Sequence, residues 1–240
     1  ITAEALEAAV SDKTKLLIIN YPNNPTGQIL TEADIQALTV FLRKHPDIYV
    51  LSDEIYEKIV YDQKQIISLA SIPEFFDRVV IVNGFSKCSA MTGWRLGYLA
   101  CNTAMYQVVL KLFQHSISCT SGFLQRGALT AMNCVEETEQ MRQAYEKRKN
   151  LLVKGIHEIP GVELLTPAGA FYAWVKFDTD MDSETLCNDL LDKAKIAGVP
   201  GIAYGEEDCV CIRFSFAASE DVLRTMLERL KTYQTTHNDL

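Results

Sequence analysis

The strongest constraint on this chain is the way short apolar runs alternate with helical patterns. Leu16–Asn20, Tyr49–Asp53 and residues 79–85 and 96–101 are short, apolar and rich in β-branched or aromatic side chains. Runs of this kind, without polar alternation, read as strands buried on both faces of a largely parallel sheet. Between the first two runs stands Thr31-Glu32-Ala33-Asp34, a partial capping box. Ile35, Leu38, Phe41 and Leu42 follow at helical spacing. Strand, loop, helix, strand is a βαβ unit. The chain of 240 residues is long enough to bury a sizeable core in one or two domains.

The pattern changes further along. Residues 122–159 read as long helix, and residues 136–150 are rich in Glu, Gln, Lys and Arg, as in a solvated helix joining two lobes. Pro160-Gly161 stops it. Candidate strands at 171–177 and 209–216 and helices at 183–197 and 220–232 then suggest a smaller α+β lobe. The expected division is residues 1–145 and 146–240. The chain opens on Ile1 rather than Met, at what reads as the onset of a helix, which suggests a piece of a longer natural chain.

Composition narrows the function. With 48% hydrophobic and 22% charged residues, the chain has an ordinary globular balance rather than a disordered one. Lys and Arg number 23 against 31 Asp and Glu, a net charge of −8 without basic runs. Nucleic acid and anionic membrane are therefore poor partners, and no apolar run has the length of a membrane span. Seven cysteines, irregularly spaced, and four scattered histidines give neither a zinc pattern nor a disulfide framework. No metal is expected, and reduced thiols fit the cytoplasm. Cys209-Val210-Cys211 sets two thiols on one face of a candidate strand. Small buried hydrophobes are the simpler reading of that pair, with metal or redox chemistry as the alternative.

In a parallel sheet, ligands gather beyond the C-terminal ends of the strands. Asn24 follows the first strand, Asp53 ends the second, Ser86 and Lys87 follow the third, and Arg213 lies within a strand of the smaller lobe. A lysine just past a buried strand is costly to desolvate unless it has a partner or a task such as Schiff-base formation. Each residue also has a plain structural reading. Asp53 could cap the next helix, Tyr56 could be a half-buried amphipathic side chain, Asn24 could serve its own turn, and Arg213 could form a surface ion pair.

Four segments together resemble the class I/II aminotransferases, pyridoxal-phosphate enzymes of fold type I. Gly84-Phe85-Ser86-Lys87-Cys88-Ser89-Ala90-Met91-Thr92-Gly93-Trp94-Arg95-Leu96-Gly97 is similar to their lysine-attachment signature. Asn23-Asn24-Pro25-Thr26-Gly27 is similar to their NPTG turn. Ser52-Asp53-Glu54-Ile55-Tyr56 resembles their D-x-x-Y element, and Cys211-Ile212-Arg213-Phe214-Ser215-Phe216 resembles the strand that carries their carboxylate-binding arginine. The resemblance implies an α/β fold: a truncated three-layer αβα large domain with a mainly parallel sheet, plus a smaller α+β C-terminal domain.

It also implies roles. Lys87 would form the Schiff base with pyridoxal 5'-phosphate and move a proton between the substrate α-carbon and the cofactor C4′. Asp53 would pair with the pyridine nitrogen and keep the ring an electron sink. Tyr56 and Asn24 would hydrogen-bond the phenolic oxygen, and Ser86 and Arg95 would contact the phosphate. Arg213, with Asn24, would hold the substrate carboxylate. The implied reaction moves an amino group from an L-amino acid of aspartate, alanine or aromatic type to a 2-oxo acid, in a cytoplasmic homodimer. A lyase or synthase of the same fold, an aminotransferase-like sensor domain of a transcription regulator, and an inactive fragment are the alternatives. Two departures stand out. Gly84 occupies a position where many members carry a phosphate-binding serine or threonine. The family also has an N-terminal portion of more than a hundred residues, with a phosphate loop, a stacking aromatic and much of the dimer contact, that is absent here.

Overall fold

The computed structural model describes residues 1–237 and divides into two compact units. The first comprises Ile1–Pro22 and Ile29–Glu139; the second comprises Asn23–Gln28 and the described residues from Gln140 on.

The first unit is α/β. Its sheet has the order β1 (Leu16–Asn20), β2 (Tyr49–Asp53), β3 (Val79–Gly84) and β4 (Gly97–Ala100). The first three strands are parallel, in a register that sets Asn20 beside Asp53 and Asp53 beside Val82. β4 runs antiparallel to β3, where the sequence suggests a largely parallel sheet. The reason lies in the connection: a parallel return needs a crossover, usually a helix, and residues 85–96 hold only turns and one short 3₁₀ segment.

Helices α1 (Ala3–Ala9) and α2 (Glu32–Lys44) belong to this unit. The Thr31 side chain accepts from the Asp34 backbone, and the Asp34 carboxylate accepts from Thr31 N at 2.8 Å, a complete capping box. Such a cap stabilises a helix by about 1 kcal/mol. The apolar stripe of α2 (Leu38, Phe41, Leu42) packs with Ile19, Val50, Leu69, Phe75 and Val79 into one core. Each such side chain contributes about 1.5–3 kcal/mol by leaving water. Helix α3 (Thr103–Ser116), capped by Asn102, has no counterpart in the sequence reading. Its half-buried side chains Met105, Val109 and Phe113 recur at i, i+4 and i+8, a helical stripe that the sequence carries.

The helical stretch read as continuous over 122–159 is two helices, α4 (Gly122–Ala131) and α5 (Val135–His157), separated by a turn at residues 132–134. The division between the units falls within α5. Its buried side chains, Lys149, Leu152 and Ile156, all lie in its second half.

The second unit is α+β. Its antiparallel sheet has the order β5 (Val162–Leu165), β6 (Tyr172–Phe177), β8 (Cys211–Ser215) and β7 (Val199–Pro200). α6 (Ser183–Asp189) continues into a π-helical turn, Leu190–Ala194, that ends at left-handed Lys195, short of the helix expected to residue 197. α7 (Glu220–His237) follows β8. Ala173, Val175, Ile212, Phe214, Leu186, Leu190, Leu223 and Leu230 are buried in this unit.

Candidate active site

In the first unit, the C-terminal ends of β2 and β3 carry five of the residues singled out in the sequence. Asp53 is the last residue of β2 and is half-buried. Its Oδ1 accepts from Ile55 N at 3.1 Å, but residues 55–58 form a turn and not the helix that a cap would start. Tyr56 lies in the following turn, 4% exposed. Ser86 and Lys87 lie in the turn directly after β3, both half-buried. The Ser86 carbonyl accepts from the Thr92 hydroxyl at 2.8 Å, which ties the lysine turn to the loop that follows. Arg95 is exposed, left-handed at φ 52°, and donates Nη1 to Thr92 O at 3.0 Å.

Gly84 has a steric reason to be glycine. β3 and β4 pair it with Gly97, and a Cβ at Gly84 would lie 2.9 Å from Gly97 Cα and 2.9 Å from Leu96 O. A serine at this position would force the two strands apart.

In the second unit, the Asn23–Gln28 turn is fixed by the connection between β5 and β6. Gly27 O accepts from Ala168 N and Gly169 N, both at 2.8 Å, and Gln28 Nε2 donates to Thr166 O at 3.0 Å. Gly27 has φ +69°, and a Cβ there would sit 2.7 Å from Pro167 Cβ. The turn's internal bonds are made by Asn23, whose Oδ1 accepts from Thr26 N at 3.0 Å and Thr26 Oγ1 at 2.6 Å. Asn24 has a distant partner: its Oδ1 accepts from Arg213 Nη1 at 2.8 Å.

Arg213 stands on β8, with its guanidinium 4.4 Å from the Tyr172 ring and 5.2 Å from the Tyr204 ring. Trp174 meets Tyr204 edge-on, with ring centroids 5.8 Å apart. Arg213 Nε is buried without a hydrogen-bond partner among the described residues. An orphaned buried donor on a cation marks a place for an anion, since leaving it unpaired costs free energy that a carboxylate would recover. The two tyrosines were not visible as site residues in the sequence, where Tyr204-Gly205 lies near the Arg213 strand with no role assigned.

A further buried acid sits between Asp53 and Ile55. Glu54 is 6% exposed, and its Oε1 accepts from Ser52 Oγ at 2.9 Å and Ser68 Oγ at 2.6 Å. Burial pushes its carboxyl above the usual range. The two serine hydroxyls pull it partly back, while Glu57 and Asp53 add to the rise.

A sequence model of the family described as "Aminotransferase class I and II" matches residues 1–230. The chain belongs to that family. It is 40% identical to an aspartate aminotransferase of Musicola paradisiaca, over 96% of this chain and 58% of that protein. It is 37% identical to aromatic-amino-acid aminotransferase 2 of Thermococcus litoralis, over 96% of this chain and 60% of that one. A solved aromatic aminotransferase from Pyrococcus horikoshii superposes with TM-score 0.94 at 35% identity, covering all of this chain and 65% of the other. The chain thus spans about 60% of the length of the curated relatives it matches.

Class I and II aminotransferases depend on pyridoxal phosphate. The first unit's donor set suits such a group. An amine, Lys87, matches an aldehyde; a carboxylate, Asp53, matches a basic ring nitrogen; a phenol, Tyr56, matches a ring oxygen; and a hydroxyl and a guanidinium, Ser86 and Arg95, match a phosphate.

Proposed function

We propose that the protein to which this chain belongs is a pyridoxal-phosphate-dependent aminotransferase, moving an amino group from an L-amino acid to a 2-oxo acid. The observation that carries the reading is Arg213. It offers a guanidinium held on one side by Asn24, flanked by two aromatic rings and left with a buried, unpaired Nε. Both substrates of a transaminase present a carboxylate, and a planar guanidinium takes it through two parallel hydrogen bonds. The names of the relatives favour aspartate-type and aromatic amino acids.

Pyridoxal phosphate, when bound, supplies the electron sink that makes the substrate α-hydrogen acidic. The protein's own residues do the rest. Asp53 would hold a positive charge on the ring nitrogen, and Tyr56 would orient and polarise the ring oxygen. Ser86 and Arg95 would anchor the phosphate. Lys87 would bind the cofactor covalently through its amine, then take a proton from the substrate α-carbon and return it at the cofactor C4′. Arg213, with Asn24, would hold the substrate by its carboxylate.

Homodimeric assembly and a cytoplasmic location belong to the same proposal. Val108 and Leu112 on α3 and Phe123 and Leu129 on α4, exposed in this chain, support the first. Seven unpaired thiols support the second. Among the described residues no helix is long and apolar enough to cross a membrane.

The direct test replaces Arg213 by lysine in the full-length protein and follows transamination of aspartate and of tyrosine with a 2-oxo acid. Loss of the charge-assisted fork removes about 1.5–3 kcal/mol of binding, so KM for both substrates should rise roughly ten- to a hundredfold while cofactor absorbance is retained. Unchanged KM values would overturn the assignment.

A further inference from the structure

Cys209 and Cys211 bring their Sγ atoms to 3.0 Å. Cys211 is the first residue of β8 and is 1% exposed. Cys209 is half-buried and sits in the bend just before the strand, where the chain turns its thiol onto that of Cys211. Three other cysteines direct their thiols to backbone oxygens instead: Cys88 to Gly84, Cys134 to Thr130 and Cys187 to Gly198. The segment between the paired thiols is held in the sheet, with Phe177 N donating to Val210 O at 2.8 Å and Lys176 in register with Cys211.

We propose that Cys209 and Cys211 form a dithiol modification site that a hydroperoxide closes to a disulfide. Cys209, the more accessible thiol, meets the oxidant. Its thiolate attacks the O–O bond and takes one oxygen as a sulfenic acid, and the other oxygen leaves as an alcohol, or as water when the oxidant is hydrogen peroxide. The Cys211 sulfur then attacks the Cys209 sulfur. The S–S bond forms, the S–O bond breaks, and the hydroxyl departs as water with the Cys211 proton. Two thiols and one hydroperoxide give one disulfide, one alcohol and one water; the thiols lose the two electrons that the peroxide gains.

The electrostatics set the order of events. Burial, then the hydrogen bond to Cys209 and the negative charge on that sulfur, push the Cys211 thiol up to about 12. Cys211 therefore keeps its proton, and Cys209, the more accessible of the two sulfurs, is the first nucleophile. A ring closed over a single intervening residue has little room to relax, which makes the bond easy to reduce and the modification reversible.

The test uses the purified, reduced chain. It is treated with hydrogen peroxide, its remaining thiols are alkylated, and it is digested with trypsin. Peptide 196–213 contains Cys209 and Cys211 and no other cysteine. The expected product is this peptide two hydrogens lighter and unalkylated, converted by dithiothreitol to a form alkylated twice. Cys209→Ser should leave Cys211 alkylatable after peroxide, and Cys211→Ser should leave a sulfenic acid at Cys209 that dimedone traps. Double alkylation of the wild-type peptide after peroxide has oxidised the exposed Cys119 would overturn the proposal. So would a Cys209 crosslinked to another peptide or oxidised to sulfinic acid without an S–S product.

Discussion

Arg213 Nη1 donates to Asn24 Oδ1 at 2.8 Å and so joins residues 189 positions apart in the chain. Asn23, the neighbour of Asn24, satisfies the turn. The amide of Asn24 can therefore fix one side of a guanidinium whose Nε is left buried and unpaired. A binding group held this way loses little entropy when an anion arrives.

Tyr172 and Tyr204 keep that guanidinium in place through their ring faces. A cation–π contact of this kind contributes about 0.5–1 kcal/mol at a partly exposed site. Tyr204→Leu should therefore weaken carboxylate substrate binding about two- to fivefold, and Tyr204→Phe should leave it near the wild-type value. Steady-state KM values for the three proteins check this, and a Phe variant as impaired as the Leu variant would assign the effect to the hydroxyl instead.

Glu54 gives a pH signature in stability. Its folded carboxyl is raised, so between the unfolded value near 4.5 and the folded one the native chain holds more protons than the unfolded chain. Stability attributable to Glu54 therefore falls as pH rises through that window, and the full penalty is present above it. Glu54→Gln keeps an oxygen to accept from Ser52 and Ser68 and removes the titration. The variant's gain in Tm over the wild type should grow from about pH 4 to about pH 8. A gain that is constant or shrinks with pH would contradict this placement of the carboxyl.

Gly84→Ala should destabilise the first unit by about 1–3 kcal/mol, the usual cost of forcing extra volume into a packed site. Its Cβ would press on Gly97 Cα and Leu96 O across β3 and β4. Gly93→Ala, with nothing within 4 Å of the added carbon, should be near neutral. Urea denaturation of the two variants makes the comparison, and equal costs would remove the steric account of Gly84.

Much of the fold was legible because burial leaves a mark on composition. β1, β2 and β3 open on apolar runs of the kind a parallel sheet uses, although Leu16 and Ile18 of β1 are exposed in this chain. Thr31 and Asp34 announce the start of α2 because the cap is made by side chains. The direction of β4 was not legible, since it depends on the short connection from β3 rather than on the strand's own residues. α3 was legible and went unread: Met105, Val109 and Phe113 recur at helical spacing behind the Asn102 cap. Partnerships across long sequence distances left no local trace. Nothing in the Asn23–Gln28 turn shows that its carbonyls and amides bond to residues 166–169. Likewise, nothing in the spacing of Tyr172, Tyr204 and Arg213 shows that the three meet. The motif order led to the family, and the geometry then separated the turn-forming Asn23 from the Arg213-bound Asn24.

The measurement that tests the central claim most directly is borohydride reduction of the protein with pyridoxal phosphate, followed by peptide mapping. Peptide 79–95 carries Lys87 and, once that lysine is modified, is not cleaved after it. The account predicts one stoichiometric adduct, on Lys87, and none at that level in Lys87→Ala. Labelling spread over many lysines, or an equal adduct in the variant, would contradict it.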